Sequence, residues 1–509
     1  MNDMNGLSHK IYLELTPPGP GDSMSDQQRI AAALRAEWGE VKFPLPVLRC
    51  LYPLCTETDW HITVTLGWNG VQWVITRLEQ GDTSASHYGL CADLGSTTLV
   101  MEMVDCRTGQ VVGQASAYNH QIAFGEDILS RIFYSTGNAE KLAEIQKATT
   151  DTFCEVMAAL EEQTGIPAEQ CAAMTVAGNS AMIHFLIGMD AFCIFSSPYA
   201  VHADQPGFLW GRDLGIPLDG FVYCYPGKAN YLGGDIISGM IATELPEHEE
   251  LSVFLDIGTN GELVVGNREF LICGAGAAGP ALEGGVVRTG MRAVKGAVSA
   301  ITLSDGIFHL VTIGNGTPKG ICGSGIVDMI AELFLNGWLD VKGKFRPEAS
   351  DQIRWLGEEY GVEYAPGLFF CQYDIDEFLK TKAAAYTMVE YVLTMAGISM
   401  DEIQRFYVAG AFGTHVNKES AVTIGLYPDI DRSRLISAGN SSLKGARRLL
   451  LDIDCLKKLP GILENMTYVQ FGDVGDFLHI MVGATALPHT DIQRYPSVIK
   501  KLKDRGILL

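Results

Sequence analysis

Leu90–Val104 reads LCADLGSTTLVMEMV, and Leu251–Val265 reads LSVFLDIGTNGELVV. Each is an apolar run, an Asp, one apolar residue, a Gly, a small hydroxyl or amide cluster, and a second apolar run. That pattern predicts strand, tight turn, strand. The Gly lets the backbone close on a ligand with no Cβ in the way. Turn amides and hydroxyls then donate to phosphate oxygens, as in anion-binding nests. Asp93 and Asp256 end the first strand of each copy, placed to hold a hydrated Mg²⁺. Glu262, just beyond the second turn, is placed to reach the metal's water shell. The two copies predict two similar half-domains facing each other across a cleft; the alternative is two unrelated hairpins.

Composition narrows the class. The 509 residues suffice for two to four domains with substantial cores. Apolar residues make up 47% and charged residues 19%, as in an ordinary folded chain. The net charge of −23 argues against nucleic acid and against an anionic membrane surface. No secretory signal and no membrane span is visible, so a cytoplasmic location is expected. The 12 cysteines are scattered without a CxxC pair, and buried small thiols are the expectation for most; Cys50 and Cys55 are the closest pair.

Residues 1–86 predict a small α+β domain: a strand over Lys10–Leu15, a helix over Ser25–Trp38 capped by Ser25, and a hairpin, His61–Leu66 and Val71–Leu78, turning at Asn69-Gly70. After the first turn, Val111–Ala115 completes a three-strand meander. Helices follow over Gly125–Ser135 and Glu140–Thr164, where Glu126 and Asp127 read as caps. A strand over Ala172–Val176 then leads into Gly178-Asn179-Ser180, which either faces the cleft or is a plain strand–helix turn. In the second half, Gly320–Gly325 leads into a helix over Ile326–Leu335, whose N-terminus favours an anion. Trp338–Leu368 reads as an insertion and Asp374–Met395 as a long helix.

The paired Asp-Leu/Ile-Gly-Ser/Thr-Thr/Asn turns resemble the phosphate loops of the actin-like ATPase superfamily, which includes acetate and sugar kinases, heat-shock chaperone ATPases and actin. Phe406–His415, FYVAGAFGTH, is similar to its adenosine loop. Gly125–Ile132, Cys273–Ala281, Gly320–Gly325 and Gly439–Ala446 look like those of the ATP-dependent reductive activators of corrinoid proteins. The resemblance covers about residues 90–487. It implies an α/β fold: two ribonuclease-H-like half-domains over 88–250 and 251–509, with an insertion near 338–370, plus the small N-terminal domain. In that family the small domain supports dimerisation.

By this resemblance ATP and Mg²⁺ are the expected cofactors. Asp93, Asp256 and Glu262 are the candidate metal ligands. The candidate nucleotide contacts are Gly95, Ser96, Thr97, Thr98, Gly258, Thr259, Asn260, Gly261, Gly276, Gly279, Gly323, Ser324, Gly410, Ala411, Phe412, Gly413, Asn440 and Ser441. Asp235, in Tyr231–Ile237, joins Asp93 and Asp256 as a candidate catalytic carboxylate, because carbohydrate kinases of the superfamily place a base at a similar point; the alternative is a helix cap. Lys444, Arg447 and Arg448 either touch ribose and phosphate or are solvated. Cys322 is either a cobalt ligand or a buried small residue, and His120 reads as structural.

The implied activity is ATP-dependent return of a corrinoid methyltransferase protein from cobalt(II) to cobalt(I). Many relatives carry an iron–sulfur ferredoxin module with closely spaced cysteines. None is seen here, so no iron–sulfur cluster is expected, and an external ferredoxin or other reductant is the expected electron source. A small-molecule kinase and an ATP-gated non-enzymatic scaffold are the alternatives.

Overall fold

The computed structural model describes residues 5–507 apart from residues 259, 278, 280, 282, 283, 472–474 and 476, and apart from the side chains of residues 277, 411, 412 and 478. The chain divides into two compact units, Met1–Ala242 with Ser441–Glu464, and Thr243–Asn440 with Asn465–Leu509.

The first unit begins with the small α+β domain. An antiparallel sheet of Ser8–Glu14, His61–Trp68 and Trp73–Gln80 carries two helices, Asp26–Trp38 and Leu45–Glu57. Ser25 caps the first helix in a capping box with Gln28, and the Asn69 side chain accepts from the Val71 and Gln72 amides in the hairpin turn. Ile30, Leu34, Val47, Leu51, Ile62 and Val64 close the core. The helix Leu45–Glu57 was not expected, because three prolines mask it. Pro46 occupies the first turn, where no intrahelical donor is lost, and only Pro53 lies inside.

The rest of this unit is a six-stranded sheet in the order Val111–Tyr118, Thr98–Asp105, Tyr88–Leu94, Ala173–Gly178, Phe221–Cys224, Gly207–Trp210. The meander is antiparallel, and the next two strands run parallel to its first strand. The helix Ala139–Thr164 packs on the meander and buries Phe153, Val156 and Leu160. Truncating a side chain such as Phe153 costs about 3–5 kcal/mol.

In the second unit the sheet runs Leu435–Gly439, Arg405–Ala409, Ser252–Ile257, Asn260–Gly266, Leu271–Ala277, Met466–Gln470. Numbered in chain order from each meander's first strand, the first sheet runs 3-2-1-4-6-5 and the second 6-3-2-1-4-5, so both contain the order 3-2-1-4. They differ beyond it: the sixth strand lies between strands 4 and 5 in the first sheet and beside strand 3 in the second. The long helix Gln372–Ala396 packs on the second meander, and two small three-stranded sheets are inserted, one of them spanning Arg354–Cys371. Among the described residues no helix is long and apolar enough to cross a membrane.

Residues 441–464, expected with the second half, group with the first unit. The reason is a set of buried bonds on the helix Ser441–Leu451. Thr175 donates to the Ala446 carbonyl at 2.8 Å, Tyr225 to Gly445 at 2.7 Å and Ser238 to Ser442 at 2.6 Å. A Cβ on Gly445 would lie 1.9 Å from the Ser238 carbonyl oxygen, so only glycine permits this approach.

Candidate functional site

In the first unit the sheet pairing ends at Leu94 and Leu99, leaving Gly95, Ser96, Thr97 and Thr98 as the turn. The Gly95 amide donates to the Thr98 carbonyl at 3.1 Å and closes it. Asp93 stands at the foot of this turn and accepts a hydrogen bond from the Ser442 hydroxyl at 2.8 Å. Asp235 lies in the first turn of the helix Gly234–Thr243, one residue past its start, and its Oδ1 accepts from the Ile236 amide at 2.9 Å. Burial pushes the Asp235 carboxyl up to about 7, and the negative charge of Asp93 adds to the rise. Two carboxyl groups, Asp93 and Asp235, therefore stand beside one turn, and the proton affinity of Asp235 is raised toward neutrality.

In the second unit the pairing ends at Ile257 and Gly261. Gly258 donates to the Asn260 carbonyl at 2.8 Å; Thr259 lies outside the described residues. Asp256 sits directly across the ladder from Glu262, so both carboxylates stand on one face of the sheet. Gly410 opens the helix Gly410–His415 at φ +81°, with space for no Cβ: one would lie 2.9 Å from Asp256 Oδ1. Gly413 lies in that helix, and the side chains of Ala411 and Phe412 are outside the described ones.

The structure thus gathers Asp93, Asp235 and the residues 95–98 in one unit, and Asp256, Glu262, Asn260, Gly261 and Gly410 in the other. Other candidates have protein-directed roles. Gly276 pairs with Gly261 and packs against Met388. Gly279 faces the Thr381 hydroxyl. Gly323 and Ser324 open the helix Gly323–Leu335, with the Ser324 hydroxyl donating to the Ser299 carbonyl at 2.7 Å. Cys322 is buried, its thiol donating to the Val298 carbonyl at 3.4 Å, in keeping with the small-residue reading. Arg447 pairs with Glu102 at 3.2 Å, and Arg448 donates to the Ile241 carbonyl at 2.9 Å. Asn440 precedes the helix Ser441–Leu451, and the Ser441 hydroxyl is buried with no protein partner among the described residues. His120 pairs with Glu155 on the surface. Asp127 and Asn179 act as helix caps. Sequence reasoning missed Ser442, which lies one residue beyond the predicted Asn440 and Ser441.

Among the described residues no three His, Cys, Asp or Glu side chains converge on a metal position. A fully protein-caged ion therefore does not fit. A hydrated Mg²⁺ does, because that ion keeps most of its waters and takes one or two carboxylates plus phosphate oxygens.

Two sheets sharing the order 3-2-1-4, each with an Asp ending its first strand before a Gly-containing turn, fit an ASKHA protein, a nucleotide-binding class. The chain belongs to the RACo family: the RACo linker region matches residues 2–85, the RACo middle region 88–248, and the C-terminal domain of RACo, the ASKHA domain, 250–499. A solved reductive activator for corrinoid, iron–sulfur protein superposes with a TM-score of 0.90 at 33% identity, covering 98% of this chain and 81% of that one. The corrinoid activation enzyme RamQ of Eubacterium limosum is 30% identical over 382 residues, 72% of this chain and 64% of RamQ, so the match spans less than two thirds of that relative. The Co(II) methylated amine-specific corrinoid protein reductase of Methanosarcina barkeri is 21% identical over 417 residues, 75% of this chain and 73% of that one.

Proposed function

We propose that this protein is an ATPase that returns a corrinoid protein from inactive cobalt(II) to cobalt(I), drawing the electron from a separate donor. The observation that carries the reading is the likeness, over 98% of the chain, to a reductive activator for corrinoid, iron–sulfur protein. RamQ and the methylated amine-specific reductase, both named for corrinoid proteins, support it.

The turn 95–98 and the segment 258–261 bind the phosphates of ATP. Asp93, Asp256 and Glu262 are the residues that would hold a hydrated Mg²⁺, which would supply charge neutralisation on the phosphate oxygens. Asp235 accepts the proton of the attacking water as its oxygen bonds the γ-phosphorus and the bond to ADP breaks. Ser442, by bonding Asp93, fixes the carboxylate's orientation.

Coupling to reduction needs only a conformational preference. A typical coupling of about 1–3 kcal/mol shifts a one-electron potential by roughly 40–130 mV. The test mixes the purified protein, a cobalt(II) corrinoid protein, MgATP and a low-potential reductant, and follows cobalt(I) by its absorption. Reduction that needs both this protein and ATP is the expected result; reduction indifferent to ATP sinks the reading.

A second copy of the chain is the proposed partner of the helix Leu45–Glu57, which buries Val47, Leu51 and Cys55 inward yet exposes Leu45, Leu48 and Tyr52, the last at 74%. Sedimentation of the wild type and of Tyr52→Asp tests this: a dimer that becomes monomeric is expected, and a wild-type monomer ends it.

A further inference from the structure

Three successive carbonyls of the first phosphate turn are taken up by two residues outside it. The Asn119 side-chain amide donates to the Gly95 oxygen at 3.0 Å, the Arg131 guanidinium to the Ser96 oxygen at 2.6 Å, and the Asn119 backbone amide to the Thr97 oxygen at 2.9 Å. Asn119 and Arg131 are both fully buried.

A trans peptide sets its C=O and its N–H on opposite sides. Tying these oxygens toward Asn119 and Arg131 therefore turns the amides of Ser96, Thr97 and Thr98 the other way. Among the described residues neither the Ser96 nor the Thr97 amide donates to a protein acceptor. Two donors are thus left aligned and unused at a turn read as phosphate-binding.

The brace is itself held. Arg131 Nε donates to the Gly125 carbonyl at 2.8 Å, and Nη2 to Glu126 at 3.3 Å. Asn119 Oδ1 accepts from the Gln121 amide at 3.1 Å, while the Gln121 side chain donates to Thr149 at 2.6 Å. A buried guanidinium bonded only to neutral oxygens is costly. Burial lowers the Arg131 pKa to about 10, so it stays cationic at neutral pH and adds positive potential beside the turn.

We infer that Arg131 and Asn119 are positioning residues for the nucleotide: they hold the turn 95–98 with its amides aimed at phosphate, and Arg131 adds charge to that attraction. The inference rests on the nucleotide reading proposed above and adds the parts that shape its first turn.

The experiment measures binding of ATP, and of adenosine as a phosphate-free probe, to the full chain and to Arg131→Lys, Arg131→Met and Asn119→Ala, with thermal unfolding of each. Lysine keeps the charge but lacks the fork that spans several carbonyls. The expected result is ATP affinity lowered roughly 10- to 100-fold, less in Arg131→Lys than in Arg131→Met, with adenosine affinity unchanged. ATP affinity within about twofold of wild type in the folded variants overturns the inference, as does an equal loss for ATP and adenosine. Where Arg131→Met does not fold, Asn119→Ala decides. A wild-type chain that binds no ATP overturns the nucleotide reading itself, a result distinct from failure of the brace.

Discussion

The two turns that follow Asp93 and Asp256 share a sequence pattern and differ in construction. The first spans four residues between paired strands, Gly95 to Thr98; the second spans three, from Gly258 to Asn260. Behind the first stand buried side chains, Asn119 and Arg131, that bond its carbonyls. Against the second stands a backbone, Gly410, whose missing Cβ makes room for Asp256. The carboxylates differ in the same way. Asp93 is oriented by a hydroxyl from a helix 349 positions away and neighbours a second carboxyl that is raised toward neutrality. Asp256 faces Glu262 directly across its own hairpin. On the function proposed above, the duplicated pattern would divide the labour, with proton transfer beside the first turn and the paired carboxylates Asp256 and Glu262 holding a cation at the second.

Even the buried cations of the two units are spent differently. Arg131 serves the turn. Lys382, on the helix Gln372–Ala396, donates to the carbonyls of Ala484, Ala486 and Pro488 at 2.5, 2.7 and 2.6 Å and so fastens the chain after the helix Phe477–Ala484. Its three N–H groups match three acceptors, although burial alone pushes its pKa down to about 7.

Replacing Asp235 gives the widest separation between the turns. Asp235→Asn should lower ATP turnover by about 10²–10⁴ while leaving ATP binding near wild type, as measured by steady-state phosphate release and calorimetry. With the carboxyl raised to about 7, the base form is lost as pH falls through that value. Thus kcat/KM for ATP should drop on the acid side of neutrality, and Asp235→Asn should flatten that limb. The sign for stability is opposite to that of an ion-paired Asp: the folded state keeps its proton longer than the unfolded one, so stability is lost as pH rises toward 7. Asp235→Asn should consequently melt higher than wild type at pH 8. Full turnover in this variant would remove the proposed difference between the two turns.

Lys382→Met should cost about 2–4 kcal/mol, because three buried carbonyls lose their donor at once, and differential scanning calorimetry would place that loss in the transition of the second unit. An unchanged melting profile would show the fastening to be dispensable. Gly410→Ala, forced into a left-handed backbone with its Cβ against Asp256, should cost roughly 1–3 kcal/mol in stability and weaken MgATP binding. Its effect should exceed that of Ser442→Ala, which removes one hydroxyl from Asp93 and should weaken binding by about 0.5–1.5 kcal/mol in a Mg²⁺-dependent manner. The reverse ranking would mean that the second turn tolerates displacement of its carboxylate better than the first.

Local physics made much of this readable from the chain alone. Alternating apolar runs broken at Asp-x-Gly announced both hairpins, Asn69-Gly70 announced a turn, and Ser25 with Gln28 announced a helix start, because each depends on neighbours within a few residues. Repetition of the hairpin predicted two related sheets, and the order 3-2-1-4 common to both realises that expectation. Tertiary structure decided the rest. It assigned residues 441–464 to the first unit through bonds spanning more than 200 positions, brought Ser442 to Asp93, and made the two turns unequal in length. It also raised Asp235 toward neutrality, a property of its buried surroundings and not of its neighbours in sequence. A pattern of residues sets backbone preference over one turn or strand; desolvation, and a hydrogen bond between segments hundreds of residues apart, exist only once packing has excluded water and brought those segments together.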